Sequence, residues 1–190
     1  MLQITHIIDN SYSGEDRLLI ERRGGSRTIL AVCDGAGNGG RGGMAADMAI
    51  AGLAGITGFL DCQRTLLALD QKIHHEAQGG ETTCVLIEIS DKGELRGASV
   101  GDSSAWMIPA RGLPTELTGA QDRARLGSGR CAPRLFKTQL RGHLLIATDG
   151  LRIPMVDLPH YSRRGIDALL ERARLKSGTL TDDVAAILAA

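Results

Sequence analysis

The sequence predicts an α+β fold: two antiparallel β-sheets packed face to face, with helices on their outer faces. Strand-like segments come in runs and helix-like segments fall into two blocks, so the order is not the strand–helix alternation of a parallel sheet. Short turns rich in Gly and Asp join neighbouring strand segments. They suit antiparallel pairs and are too short for a parallel crossover. The helical stretches carry apolar residues at helical spacing, as expected of helices lying on a sheet.

Leu2 to Ile8 alternates and reads as the first strand. Asp9 to Gly14 is a turn-rich loop, and Glu15-Asp16 opens a second strand, Arg17 to Arg23. Gly24-Gly25-Ser26 makes a hairpin into the third strand, Arg27 to Asp34, whose apolar run from Thr28 to Cys33 marks it as buried. A glycine loop follows, then a helix over about Gly43 to Phe59. A second helix covers Gln63 to Gln78, with Leu66, Leu67, Leu69, Ile73 and Ala77 at helical spacing. Thr82 to Ser90, Glu94 to Val100 and Ala105 to Pro109 read as consecutive antiparallel strands, turning at Asp91-Lys92-Gly93 and Gly101-Asp102-Ser103. Leu113 to Ala132 is a polar, glycine-containing excursion. Arg134 to Leu140 and His143 to Thr148 read as a hairpin around Arg141-Gly142, Arg163 to Leu175 as a helix with Ile166, Leu169, Leu170 and Ala173 inward, and Val184 to Ala189 as a final buried strand. With 190 residues and no internal repeat or linker, one domain over 1–190 is expected.

Composition narrows the function. Lys+Arg and Asp+Glu are both 22, so the net charge is zero, which argues against nucleic-acid binding and gives no electrostatic reason for membrane adhesion. No apolar run is long enough to span a bilayer; Met44 to Leu60 comes closest but is interrupted by Asp47 and glycines. The N-terminus lacks the pattern of a signal peptide, so a cytoplasmic protein is expected. Cys33, Cys62, Cys84 and Cys131 are widely spaced without a C-x-x-C, which speaks for reduced, buried thiols and against a zinc site.

The chemistry concentrates in acids at strand ends and turns: Gly14-Glu15-Asp16, Cys33-Asp34-Gly35, Thr148-Asp149-Gly150 and Thr181-Asp182-Asp183, with Gly101-Asp102-Ser103 as a fifth. Any one of these is an ordinary turn, and the Asp102 turn by itself reads as a simple hairpin. Together they are different. Clustered carboxylates repel one another and resist burial, and a cation removes both penalties. With no His or Cys companion, the implied ion is hard, Mg²⁺ or Mn²⁺. Two such ions about 4 Å apart can hold a phosphoryl group for in-line attack.

The order of these motifs resembles the metal-dependent protein Ser/Thr phosphatases, the PPM or type 2C family. The matching stretches are GEDRLLIE (14–21), LAVCDGAGNGG (30–40), GGETTCVLIEI (79–89), ASVGDSSAWMI (98–108), ELTGAQ (116–121), GHLLIATDGL (142–151) and TDDVAAILA (181–189). They span nearly the whole chain, and the glycine loop leading into Gly42-Gly43-Met44 looks like the compact bacterial branch. The resemblance implies a four-layer α-β-β-α sandwich with two metals in a cleft at one end of the sheets. It implies that Asp34 bridges the metals and the Gly35 carbonyl binds one, that Asp149 and Asp182 bind the other, that Glu15 and Asp16 hold metal-bound waters, and that Asp102 supports a third, weaker ion. Thr82 and Thr83 become support residues near the site. A water bridging the two ions is then the nucleophile, so no nucleophilic Cys is needed and Cys33 is a packed thiol. The substrate is a phosphoserine or phosphothreonine protein in a bacterial signalling pathway, a cognate Ser/Thr kinase is the natural counterpart, and a monomer is expected.

The chain departs from that pattern at four places. Ala36 stands where many members carry a His that protonates the leaving alcohol, and the loss of a general acid is worth about 10²–10⁴ in rate. Ser11 and Ser104 stand where many members carry arginines, leaving Arg17 and Arg41 as candidate phosphate-binding cations. Asp183 replaces the usual Asn. His6, His74, His75, His143 and His160 are the imidazoles left to replace the missing acid, and His74 and His75 read as surface residues on a helix. These departures keep a second reading open, a catalytically weak phosphatase-like module that binds phosphoproteins. A third is a hydrolase of small phosphoesters.

Overall fold

A computed structural model describes residues 2–24, 26–56, 60–119 and 124–190. The predicted turn residue Gly25, the predicted helix end at Thr57 to Phe59, and Ala120-Gln121 of the ELTGAQ stretch lie outside the described residues.

Two five-stranded antiparallel sheets form the centre. One runs in the order β1 (Ile4–Asp9), β12 (Val184–Ala189), β11 (His143–Ala147), β8 (Ser104–Ile108), β9 (Thr115–Glu116). The other runs β10 (Arg134–Gln139), β7 (Glu94–Val100), β6 (Cys84–Ser90), β3 (Arg27–Cys33), β2 (Arg17–Arg23). A two-residue ribbon, β4 (Gly35–Ala36) with β5 (Glu81–Thr82), branches off the second sheet. Helices α1 (Arg41–Ala54) and α2 (Cys62–Glu76) cover the outside of the second sheet, and the short α3 (Leu158–Ser162) and α4 (Ile166–Ala173) cover the first. The layers are therefore α-β-β-α.

Strand periodicity builds these layers. In β3, Leu30 and Val32 face the other sheet while Ile29, Ala31 and Cys33 face α1 and α2. In β12, Ala185, Ile187 and Ala189 face inward and Val184, Ala186 and Leu188 meet α3 and α4. Each fully buried Leu or Ile contributes about 1.5–3 kcal/mol, so a one-residue slip that reversed the faces would cost far more than any turn preference. Helix α1 buries Gly42, Gly43, Ala45, Ala46 and Ala49, and these small side chains let its first turns lie close on the sheet. A Cβ on Gly35 would stand 2.4 Å from the Gly42 carbonyl carbon, so backbone meets backbone there. Asp61 caps α2, accepting from the Arg64 N–H at 3.0 Å. All four cysteines are buried free thiols.

Two expected hairpins are corrected. β7 and β8 do not pair: β7 lies between β6 and β10, and β8 pairs with β11, so Gly101-Asp102-Ser103 carries the chain from one sheet to the other. β10 and β11 likewise belong to different sheets, joined through Arg141-Gly142. A tight Gly-containing turn looks the same locally whether the next strand pairs with the last or crosses the core. The helix expected over Arg163 to Leu175 is the shorter α4, Ile166–Ala173, which cannot begin before Gly165 because that residue has φ +100; α3, just ahead of it, was not expected. The first helix ends at Ala54.

Candidate active site

The antiparallel registers bring one end of every long strand to the same end of the sandwich, and the acids lie there. Arg17 pairs with Cys33, so Asp16, just before β2, faces Asp34, just after β3. Ala147 pairs with Ala186, which brings Asp149, beyond the end of β11, alongside Asp182-Asp183 ahead of β12. Asp102 sits on the crossover from β7 to β8 at the same end.

Each acid is held through its backbone or a neighbour. The Asp34 N–H donates to Thr83 Oγ1 at 3.0 Å, and its carbonyl accepts from the Thr83 N–H at 2.8 Å and from Thr82 Oγ1 at 2.9 Å. Thr83 Oγ1 in turn lies 2.6 Å from Ser103 Oγ, tying the Asp34 turn to the Asp102 crossover. Asp16 is buried, and its Oδ2 accepts from Thr148 Oγ1 at 2.7 Å, a bond that links the two sheets across the mouth of the cleft. Thr148 Oγ1 also accepts from the Ala185 N–H at 2.9 Å. Gly150 packs against the Asp183 carbonyl, leaving no room for a side chain.

Asp183 has a different task. Its carboxylate accepts from the backbone N–H groups of Tyr12, Ser13, Gly14 and Glu15 and from Ser13 Oγ, at 2.6–3.1 Å. Burial pushes its pKa up, but the hydrogen bonds from Ser13, Glu15 and Tyr12 outweigh it and hold Asp183 below the ordinary carboxylate range. It therefore clamps the loop that presents Glu15 and Asp16. Glu15 itself turns toward α1, accepting from the Gly43 N–H at 3.2 Å near the positive end of that helix.

The clustered carboxylates are only partly compensated, with Arg152 and Arg125 at 3.7 and 3.6 Å from Asp149 and Asp102. Burial is the main reason the Asp34 carboxyl is pushed up to about 8, with repulsion from Asp16, Asp149, Asp182 and Asp102 adding to it. Burial also raises Asp16 to about 6, against the Thr148 hydrogen bond and with Asp183 and Asp182 repelling. Asp149 is raised by burial and by Asp102, while Arg152 and Arg125 pull it back. Among the described residues no side chain donates a hydrogen bond to the Asp34 carboxylate, and no three His, Cys, Asp or Glu groups are drawn together as a closed metal cage. An all-oxygen set of acids, fixed by backbone and short of positive charge, suits hard divalent cations and not zinc.

The other predicted residues fall around this cluster. Gly35 is buried against α1, and Ala36 follows it in the ribbon. Arg17 spends its guanidinium on Asp47, at 2.5 and 3.1 Å, and on the Gly14 and Asp16 carbonyls, at 2.8 and 2.9 Å. Arg41 is exposed at the start of α1 and donates to the Gln78 carbonyl. None of the five histidines adjoins an acid of this cluster: His6 is on β1, His74 and His75 on α2, His160 on α3, and His143 begins β11 at the end away from Asp149. An apolar cavity of about 460 Å³ lined by Leu60, Cys62, Gly97, Leu135 and Phe136 lies between α2 and β10 and shares no residue with the cluster. Sequence reasoning missed the Thr148 bridge, the Asp183 clamp and Arg125, whose side chain reaches toward Asp102 with 3.6 Å between Nη2 and Oδ2. The doubled acid at 182–183 was a signal for the clamp; nothing local marks the other two.

No protein-family model and no curated protein matches the sequence. Solved structures do match in fold. A bacterial serine phosphatase is 20% identical with a TM-score of 0.85, covering 100% of this chain and 97% of its own. RsbX, solved in complex with magnesium, is 18% identical with a TM-score of 0.78, over 99% of this chain and 94% of its own. The catalytic domain of the serine/threonine protein phosphatase PstP, solved with two manganese ions, is 22% identical with a TM-score of 0.72, over 99% and 97%. The α-β-β-α architecture of this chain is thus the architecture of those phosphatases.

Proposed function

We propose that this chain is a PPM-type metal-dependent protein serine/threonine phosphatase, a single domain over 1–190. The observation that carries the reading is the convergence of Asp16, Asp34, Asp102, Asp149 and Asp182 at one end of the sandwich, on a fold shared along its whole length with bacterial serine/threonine phosphatases. A protein has little reason to gather repelling, half-buried carboxylates unless cations join them.

In this reading Asp34, the Gly35 carbonyl, Asp149 and Asp182 would hold two Mg²⁺ or Mn²⁺ ions. Glu15 and Asp16 support the surrounding shell, and Asp102 serves a third, weaker ion. Bound divalent ions supply Lewis-acid polarisation of phosphoryl oxygens and acidify water at neutral pH. The residues of the chain do the rest. The Thr82–Thr83 bonds fix the Asp34 backbone, the Thr148 hydroxyl orients the Asp16 carboxylate, and Asp183 holds the 12–15 loop in place. Ala36 has no side chain that could donate a proton to the leaving alkoxide. The substrate class is that of the neighbours, a phosphoserine or phosphothreonine protein, and the proposal adds a cognate kinase and a monomeric, cytoplasmic enzyme. No helix among the described residues is long and apolar enough to cross a membrane.

The test is hydrolysis of a phosphothreonine peptide by the purified chain with Mn²⁺, beside Asp34→Asn and Asp149→Asn. Activity that needs metal, disappears with chelator and is lost in both variants is the expected result. Metal binding without turnover on varied phosphopeptides would favour the second reading, a phosphoprotein-binding module, which Ala36, Ser11 and Ser104 support; Ala36→His is then the variant to make. No divalent-ion binding at all would overturn both.

A further inference from the structure

The arginines nearest the chemistry differ in how far they are already engaged. Arg17 has every guanidinium nitrogen in a protein hydrogen bond. Arg41 points to the Gln78 carbonyl. Arg152 is 63% exposed and makes a local pair with Asp149, its Nε bonded to the Asp149 carbonyl at 3.3 Å. Arg125 is different. Its nearest carboxylate, Asp102, is 3.6 Å away, too far for a hydrogen bond, and it is close enough to Asp149 to oppose that residue's rise in pKa. It makes only this loose ion pair with Asp102, and among the described residues none of its guanidinium nitrogens makes a hydrogen bond.

The backbone that carries Arg125 is fixed firmly, and by residues remote from it in sequence. Leu126 exchanges two backbone hydrogen bonds with Thr82, both 2.9 Å, so it extends the β4–β5 ribbon that also holds Gly35 and Ala36. Thr82 Oγ1 meanwhile bonds the Asp34 carbonyl, so one residue sets both Asp34 and the base of Arg125. The buried carboxylate of Asp70, on α2, then accepts from the N–H groups of Gly127, Gly129 and Cys131 at 2.8–3.1 Å. His74 and Gln71 bond the Gly127 and Gly129 carbonyls. Gly127 has φ +98 and packs so tightly on Gly80 and Ile73 that a Cβ would overlap them. A loop held by seven hydrogen bonds that presents a guanidinium only loosely paired with Asp102 is built to position that cation.

We propose that Arg125 binds the phosphoryl oxygens of the substrate monoester, taking the place of the arginines this chain lacks at Ser11 and Ser104. A guanidinium offers two parallel N–H groups to two phosphoryl oxygens, and a charged, partly desolvated pair of that kind is stronger than a neutral hydrogen bond. The inference rests on the phosphatase reading for its substrate, but the binding of a phosphate dianion can be measured without turnover. Asp70 acts through Arg125 as a positioning residue.

Inorganic phosphate is titrated calorimetrically into the Mn²⁺-loaded chain, wild type and Arg125→Ala, Arg125→Lys, Arg152→Ala and Asp70→Asn, with steady-state hydrolysis of p-nitrophenyl phosphate alongside. Arg125→Ala is expected to weaken phosphate binding and raise KM by about 10- to 100-fold with a smaller change in kcat. Arg125→Lys recovers part of that loss, Asp70→Asn shows an intermediate one, and Arg152→Ala changes phosphate binding less than threefold. Mn²⁺ affinity at the tight sites stays the same in Arg125→Ala. Phosphate binding and KM within twofold of wild type in Arg125→Ala, or the main loss in Arg152→Ala, would overturn the role of Arg125 and leave the phosphatase reading standing. Arg125-dependent phosphate binding by a chain that hydrolyses nothing would support the role of Arg125 and count against the phosphatase reading.

Discussion

The metal-free protein should become more stable when Asp34 loses its charge. Asp34→Asn keeps the shape of the side chain and the backbone bonds to Thr82 and Thr83, and it removes a half-buried carboxylate facing Asp16, Asp149 and Asp182. The folded carboxyl stands at about 8 against an ordinary 3.8, so between those limits the folded chain binds the proton more tightly than the unfolded chain. Stability is then lost as pH rises through that window, and the loss is complete above about pH 8. Taken at face value the difference is worth about 6 kcal/mol. Water on the open side of the cleft screens the repulsion, so the expected gain for Asp34→Asn at pH 9 is on the order of 2 kcal/mol. That corresponds to roughly 4–8 °C in Tm for a domain of this size. Trp106 is the single tryptophan and sits half-buried on β8, so its fluorescence can follow urea unfolding in chelator at pH 4.5, 7 and 9. The gap between variant and wild type should be small at pH 4.5 and widen with pH. Saturating Mn²⁺ should reverse the order, since ions that bind the folded wild type stabilise it by mass action. A variant no more stable than wild type at pH 9 in chelator, or a gap that ignores pH, would refute the argument that Asp34 is held as an uncompensated charge.

Three further outcomes follow from named contacts. Thr148→Val leaves the buried Asp16 carboxylate without its donor and should destabilise the chain by about 1–3 kcal/mol, with weaker Mn²⁺ binding by calorimetry. Asp183→Ala releases the 12–15 loop and should cost about 2–4 kcal/mol by urea denaturation at pH 7. Because the folded Asp183 carboxyl lies below its ordinary range, the wild type should lose that contribution as pH falls below about 4, and the two proteins should converge there. Gly35→Ala places a methyl 2.4 Å from the Gly42 backbone; α1 must shift, and a loss of at least about 2 kcal/mol in stability together with Mn²⁺ affinity is expected.

Much of this molecule was legible in the chain because its strands alternate. The period of two in Ile29 to Cys33 and in Val184 to Ala189 says which residues face the helices and which face the other sheet, and burial enforces it. The acids were legible as well, since an Asp at the end of a buried run is a local signal. What periodicity cannot state is the partner. The turns at Asp102 and Arg141 look like hairpins and are crossovers between sheets, because pairing is settled by which apolar faces meet in the core and not by the turn. The same holds for the polar network. Asp183 finds its donors some 170 residues away, Asp16 finds Thr148 at the end of a strand in the other sheet, and Asp70 finds the loop that carries Arg125. Backbone N–H groups in loops must be satisfied by whatever the fold brings near, so those partners exist only once the two sheets have closed on each other. The sequence by itself determined the layers and the residues of the acidic cluster. The tertiary structure decided which carboxylates are clamps, which crowd together at one end of the sandwich, and which arginine is brought beside them, because those neighbours meet only when the two sheets close.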